Sequence, residues 1–290
     1  YGNLIYDTVK YVDGFKVGTS NKCEKEYNSI GAIGNIITNM CDLSYKDEIK
    51  ILSSIGDDKY GLQVTSWLNK VKNKCDLNLD DLEVVSGGTT TNALIISNIG
   101  MNSRTSILNW GECRKMNNFT PVKTKWSHIL YADTLNNINK NNLLEIKKQS
   151  DIVSMDLCLG AYKNQELDNV LSLLHYVDYL IISDVEALAL TRRINFSGIE
   201  YDDIEAAKNL SRMTLKGVVI HSPSGSVFSD GINTEMFRAN LFKHNGINVL
   251  GAGDLFCSSI IYSLLQSKDI KDAIQFAHDH TTNTLLNRKI

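Results

Sequence analysis

A chain of 290 residues, 43% hydrophobic and 22% charged, can bury a substantial core, and its length suits one large domain with an appendage or two modest ones. A formal net charge of −3, with basic runs no longer than pairs such as Lys147-Lys148 and Arg192-Arg193, argues against a nucleic-acid surface and for a small-molecule partner. Six scattered cysteines without a CxxC pair give no zinc pattern and read as reduced, mostly buried thiols of a cytoplasmic protein, and no apolar run approaches the roughly 18 residues of a membrane span.

The chain opens on Tyr1-Gly2-Asn3 rather than on methionine, which leaves a preceding segment open. Residues 9–29 and 82–110 carry short polar and β-branched runs, among them EVVSGGTTTNALIIS and RTSILNW, that predict strands around turns and a small sheet. Within it, Thr89 to Thr91 read as an exposed strand. From about residue 126 short apolar runs alternate with amphipathic stretches: HILYADT, NNLLEIKKQ, IVSMDL, LDNVLSLLHYV, YLIIS, VEALALT, IEAAKNLSR, GVVIHS and GDLFCSSIIYSLLQ. That alternation predicts a mostly parallel sheet with helices on both faces, where ligands sit at the carboxyl ends of the strands. Near the end, His278 and His280 are two residues apart and do not share a helix face, so they predict a partly exposed helix and no metal pair. His128, His175, His221 and His244 stand without a partner pattern.

The stretch NVLGAGDLFCSS, residues 248–259, carries the most chemistry. Phe256, Ile260, Ile261, Leu264 and Leu265 recur at helical spacing, so Gly251 to Gly253 form the entry to a helix. With such small side chains the backbone N–H groups can approach an anion, and the unpaired donors of a first turn together with the helix dipole favour negative charge there. Asp254 then has two readings: a carboxylate that answers the helix dipole, or a general base beside a phosphate cradle.

This stretch resembles the C-terminal signature of the ribokinase-like (pfkB) family of carbohydrate and nucleoside kinases, and four further segments match in order. GNLIYD (2–7) is similar to the end of that family's first strand with its substrate-binding aspartate, Asp7. SIGAIGN (29–35) is similar to its Gly-Gly-x-x-x-Asn segment, with Ile30 for the first glycine and with Gly31 and Asn35 kept. SSIGDDKYG (53–61) resembles its Ile-Gly-x-Asp-x-x-Gly segment, and SRTSILNWGEC (103–113) its lid strand and turn. The resemblance implies a three-layer α/β/α domain over residues 1–290, with a β-sheet lid from about 8–30 and 82–120. It implies transfer of the γ-phosphoryl of ATP, with Mg²⁺, to a hydroxyl of a sugar or sugar-like molecule. Asp254 would be the base, with Gly251, Ala252 and Gly253 as the anion hole and Asp7, Gly31 and Asn35 holding substrate. The chemistry asks for little more, since phosphoryl transfer rests on positioning and charge stabilisation.

The chain also departs from the family pattern. Asn248-Val249 replace an Asp-Thr pair whose acid helps bind a monovalent cation. SDVE keeps the glutamate of Asn-x-x-Glu as Glu186, expected to organise magnesium, but has Ser183 for asparagine; its plainer reading is a charge at a helix start. IHSPSG keeps Gly225 of the nucleotide-side turn, with Ile220 and Ser222 substituted, so that Ser183, Ser222 and Gly225 are the expected nucleotide contacts. In SMDLCLG, Asp156 remains, while Cys158 and Gly160 stand where polar residues are common. A family member that binds a ligand or partner without catalysis is the alternative. A dinucleotide-binding dehydrogenase is set aside, for no GxGxxG follows a first strand. The apolar run ALIIS (93–97) predicts a lid face that pairs with a second copy.

Overall fold

The computed structural model describes residues 1–16, 18–98, 103–158, 164–194, 201–240 and 248–288. Gly160 and His244 lie outside these residues. The first third of the chain builds β1 (Leu4–Val12), β2 (Cys23–Ala32), α1 (Ile33–Asp42), the two-residue β3 (Ile49–Lys50), β4 (Ser53–Gly56), α2 (Lys59–Val71), β5 (Leu77–Asn78), β6 (Leu82–Val85), β7 (Asn92–Asn98) and β8 (Ser103–Asn109). A four-stranded sheet runs β2-β1-β7-β8, parallel between β1 and β7 and antiparallel elsewhere. Alternation along β1 puts Asp7, Val9 and Tyr11 on one face, with the latter two joining a core of Ile37, Val64 and Leu68 from α1 and α2. Asp7 lies inside β1, not at a strand end as GNLIYD suggests, because pairing with β2 carries the strand on to Val12.

The remaining elements alternate as the apolar periodicity predicts: β9 (Thr124–Ile129), α3 (Lys140–Gln149), β10 (Ser150–Met155), α4 (Asn164–Leu173), β11 (Tyr179–Ser183), α5 (Asp184–Arg193), α6 (Asp203–Ser211), β12 (Gly217–Ser222), β13 (Gly225–Ser229), β14 (Thr234–Arg238), α7 (Ala252–Leu265) and α8 (Ile270–Leu286). The sheet order is β14-β13-β12-β11-β10-β9, with β9 to β12 parallel and β13 and β14 added antiparallel by hairpins. Leu180, Ile182, Val218 and Ile220 point into a core with Val170, Ala187, Ala207 and Leu210 from the helices on one face. Ile181 and Val219 point the other way, against Phe256, Ile260 and Ala277 of α7 and α8. Such near-continuous apolar strands mark a sheet covered on both faces, and each fully buried aliphatic side chain contributes about 1.5–3 kcal/mol. Tyr1 extends the layer sideways, since its nitrogen donates to His128 O (2.9 Å) and its carbonyl accepts from Leu130 N–H (2.9 Å).

Two expectations are corrected. Cys41 of α1 and Cys75, just past α2, are joined in a disulfide, so the six cysteines are not all free thiols; packing of the two helices brings together sulfurs 34 residues apart. Among the four free cysteines, Cys113 and Cys257 are buried and Cys23 is exposed. Thr89 to Thr91 form no exposed strand: Thr90 and Thr91 are fully buried between elements. Thr90 Oγ1 donates to Asp58 Oδ1 (2.7 Å) and accepts from Gly56 N–H (3.0 Å), and Thr91 Oγ1 accepts from Gly111 N–H (3.1 Å). Asp58 in turn caps α2 by accepting from Gly61 N–H at 2.9 Å. The SSIGDDKYG segment thus clasps the end of β4 and the start of α2 to the residues just ahead of β7.

Candidate active site

Gly251 is the residue that starts α7. It sits at φ 71°, a left-handed conformation that suits glycine, and a Cβ there would lie 2.7 Å from Asn35 Nδ2. No side chain caps the helix. Ala252 N–H turns back to Val249 O at 3.2 Å, which leaves the following first-turn N–H groups directed out of the helix start. Two residues on, the carboxylate of Asp254 is buried and held from two sides: Asn35 Nδ2 donates to Oδ2 (2.6 Å) and the Tyr131 hydroxyl donates to Oδ1 (2.9 Å). Burial, and the nearby Asp156 after it, push Asp254 up to about 7, against the two hydrogen bonds and the field of Arg104.

Asn35 owes its position to α1, which is fastened to α7 one turn further along. There Asn39 Nδ2 donates to Ser258 Oγ (2.8 Å) and Ser259 Oγ (3.1 Å), while Asn39 Oδ1 faces His280 Nε2 at 2.8 Å. Gly31 leaves room for Asp7, for a Cβ would lie 2.3 Å from Asp7 Oδ2. Burial pushes Asp7 up to about 7 as well; the charge of Asp254 adds to the shift and Arg104 of β8 opposes it. Asp7, Gly31, Asn35, Gly251 and Asp254 therefore meet at one place, although Asn35 serves Asp254 directly.

The strand ends of the six-stranded sheet supply the opposite wall. Ser183 ends β11 and caps α5 in a reciprocal pair with Glu186, Ser183 N–H donating to Glu186 Oε2 at 2.7 Å and Glu186 N–H to Ser183 Oγ at 3.4 Å. Ser183 is the register partner of His221 on β12, whose ring lies 3.5 Å from where a Gly253 Cβ would be and 5.0 Å from the Phe256 ring. The β12–β13 turn with Ser222 and Gly225 follows. Ser222 Oγ stays within this turn, bonding Ser224 Oγ (2.9 Å) and Gly225 O (3.3 Å), and a Cβ on Gly225 would meet Phe237 O at 2.2 Å.

Four carboxyl groups, Asp133, Asp156, Glu186 and Asp254, are buried in this region. Burial first and mutual repulsion second raise Asp133, Glu186 (to about 8) and Asp254; burial raises Asp156. So many gathered carboxyl oxygens fit a hydrated divalent cation of the hard, oxygen-seeking kind, whose charge would displace their protons. Asn248 does not offer a charge for a monovalent ion: its Oδ1 accepts from Leu250 N–H (3.0 Å) and its Nδ2 donates to the Tyr27 hydroxyl on β2 (2.8 Å).

Tyr131, Asp133 and Arg104 were not legible as site residues. Tyr131 reads as part of the strand run HILYADT, yet it takes φ 55° and begins a short 3₁₀ turn. Asp156 Oδ1 accepts its N–H at 2.6 Å and Thr134 Oγ1 donates to its carbonyl at 2.7 Å, which holds this unusual backbone in place. Histidine roles also differ from expectation. His278 is buried, not partly exposed, with Nε2 2.9 Å from Ser226 Oγ, and His128 does have partners, Asp156 and Cys257.

A family model for pfkB family carbohydrate kinases matches residues 1–281, and the chain belongs to that family. It is 20% identical over 276 residues to a ribokinase of Schizosaccharomyces pombe, an alignment covering 91% of this chain and 80% of that protein. Its fold is similar to that of a Burkholderia thailandensis nucleoside kinase in complex with inosine (TM-score 0.76, 14% identity, 98% and 89% of the two chains). A Cryptococcus neoformans ribokinase in complex with ADP is likewise similar (TM-score 0.69, 16% identity, 96% and 89%). The family and fold are those of ATP-dependent sugar or nucleoside kinases. No helix among the described residues is long and apolar enough to cross a membrane.

Proposed function

We propose that this chain acts as one kinase domain in the cytoplasm and moves the γ-phosphoryl group of ATP to a hydroxyl of a sugar or sugar-like molecule, with Asp254 as general base. The observation that carries the reading is a buried carboxyl raised to about 7, placed at an uncapped helix start and held by two neutral donors. Near neutral pH such a group is poised between its two protonation states, as a base must be. Each oxygen keeps a lone pair beyond the one it shares with Asn35 or Tyr131, so it can receive the proton of the attacking hydroxyl. Gly251, Ala252 and Gly253 shape the anion hole; Asp7 and Gly31 hold the acceptor beside Asn35; Ser183, Ser222 and Gly225 lie along the nucleotide. Glu186 organises Mg²⁺ through water, and Mg²⁺ when bound neutralises charge on the transferring phosphates.

A screen of sugars, sugar phosphates and nucleosides, with and without ATP·Mg²⁺, tests this reading. The true acceptor is expected to raise the melting temperature and to release ADP only when all components are present. Stabilisation without ADP release by any compound would favour the alternative, a ligand-binding protein without catalysis. Magnesium is expected to be essential and potassium nearly without effect at fixed ionic strength, since the amide of Asn248 is committed to Tyr27 and attracts a cation far less than a carboxylate does. Strong potassium activation would place the cation site elsewhere.

The four-stranded sheet also supports a homodimer formed through the lids. Thr8, Leu94, Ile96 and Ile107 share the face opposite Asp7, and Ile107 is 60% exposed there. Sedimentation at tens of micromolar is expected to show a dimer that Ile107→Lys dissociates; a wild-type monomer would count directly against it.

A further inference from the structure

Behind Asp254, three side chains from separate elements converge: His128 of β9, Asp156 just past β10, and Cys257 on the turn of α7 that follows Asp254. His128 Nε2 lies 3.4 Å from Asp156 Oδ2 and 3.8 Å from Cys257 Sγ, and the three ligand atoms all lie within 4.8 Å of one another. A tetrahedral zinc ion bound by nitrogen, oxygen and sulfur needs edges of about 3.4 Å between N and O and about 3.6 Å between N and S, from its usual bond lengths. From this geometry we propose that His128, Asp156 and Cys257 form a binding site for a zinc-class transition-metal ion, distinct from the magnesium that accompanies ATP.

The surroundings suit that occupant. His128 Nδ1 is 2.8 Å from Ser154 Oγ, itself held by the Trp126 indole N–H at 2.7 Å, which orients the ring with Nε2 toward the other two ligands. Asp156 Oδ1 is occupied by Tyr131 N–H, which leaves Oδ2 for the ion. A thiolate and a carboxylate together cancel the charge of a divalent ion, so the filled site is neutral in a buried place. Burial raises the Cys257 thiol and the Asp156 carboxyl well above their usual ranges and lowers His128 to about 3, and a bound ion would offset that cost of burying charge. Binding therefore releases two protons, one from sulfur and one from the carboxyl, as two metal bonds form in their place. The sulfur and imidazole select zinc or cobalt over magnesium, and the fourth position is left for water. An ion here ties the catalytic helix to two strands of the sheet.

The test needs no turnover, so it succeeds or fails apart from the kinase reading. Chelator-stripped full-length chain is titrated with Co²⁺ in excess Mg²⁺. The expected result is a thiolate-to-cobalt charge-transfer band with intense tetrahedral visible bands, saturating at one ion per chain and bleached by Zn²⁺. Cys257→Ala is expected to abolish the charge-transfer band, and His128→Gln to weaken binding about tenfold or more. Should the variants not fold, X-ray absorption on zinc-loaded wild-type protein is expected to show one sulfur at about 2.3 Å and lighter ligands at about 2.0–2.2 Å. No charge-transfer band in the wild type, a band retained by Cys257→Ala, or a zinc shell without sulfur would overturn the site.

Discussion

Asp254→Asn is expected to lower turnover by roughly 10²-fold or more while the fold and ligand binding persist, the range for loss of a positioned acid–base group. Asparagine has nearly the same shape and still offers one oxygen to Tyr131 or Asn35, so the lost property is proton acceptance. If Asp254 only answers the helix dipole, the same change should cost at most about 1 kcal/mol of stability and leave activity nearly intact. Turnover and melting temperature measured on this one variant separate the two cases, and turnover near wild type would remove Asp254 from the reaction. The pH profile gives a second check. Since burial lifts this carboxyl to about 7, the base form is lost as pH falls through that value, and kcat/KM should rise with pH through about 7 and level off above it. A profile already flat at pH 5 would mean that the working carboxylate is not the one raised by burial here.

Loss of the Cys41–Cys75 bond should give the largest change in stability. Closing a loop of 34 residues restricts the unfolded chain by about 3–4 kcal/mol in the chain-entropy estimate. For a protein of this size that corresponds to a fall in melting temperature on the order of 5–10 °C. Cys41→Ser, Cys75→Ser and the reduced wild type should melt alike, because each removes the same constraint. The bond joins α1, which carries Asn35 and Asn39, to the end of α2, so its loss loosens the helix that positions Asp254. An unchanged melting temperature on reduction would mean that the two sulfurs are not joined in solution.

Much of this protein can be read from its sequence alone because the relevant physics is local. Short apolar runs and amphipathic stretches of helical spacing mark β9 to β12 and their helices through burial of both faces or of one, and GAGD marks a helix start through the small size of its residues. The family resemblance rests on segments of the same local kind, each holding its turn by backbone geometry. Gly31 and Gly251 illustrate the boundary. As small residues in a motif they are visible in the sequence, but that they clear space for Asp7 Oδ2 and Asn35 Nδ2 depends on strands and helices that meet far apart in the chain.

The tertiary structure alone decided the rest. Tyr131 reaches Asp254 across 123 positions and Asn35 reaches it across 219, so no periodicity or spacing could announce either contact. The rise of Asp7, Glu186 and Asp254 comes from burial and from the charge of neighbouring carboxylates, Asp156 among them, which meet only once the strand ends are gathered. The same holds for scattered sulfurs that become a disulfide and for an unpartnered histidine that becomes a corner of a ligand set. Residue type and local pattern determine which chemistry is available to the chain; the packing of α1 and α7 against the sheet determines which groups meet and in which protonation state.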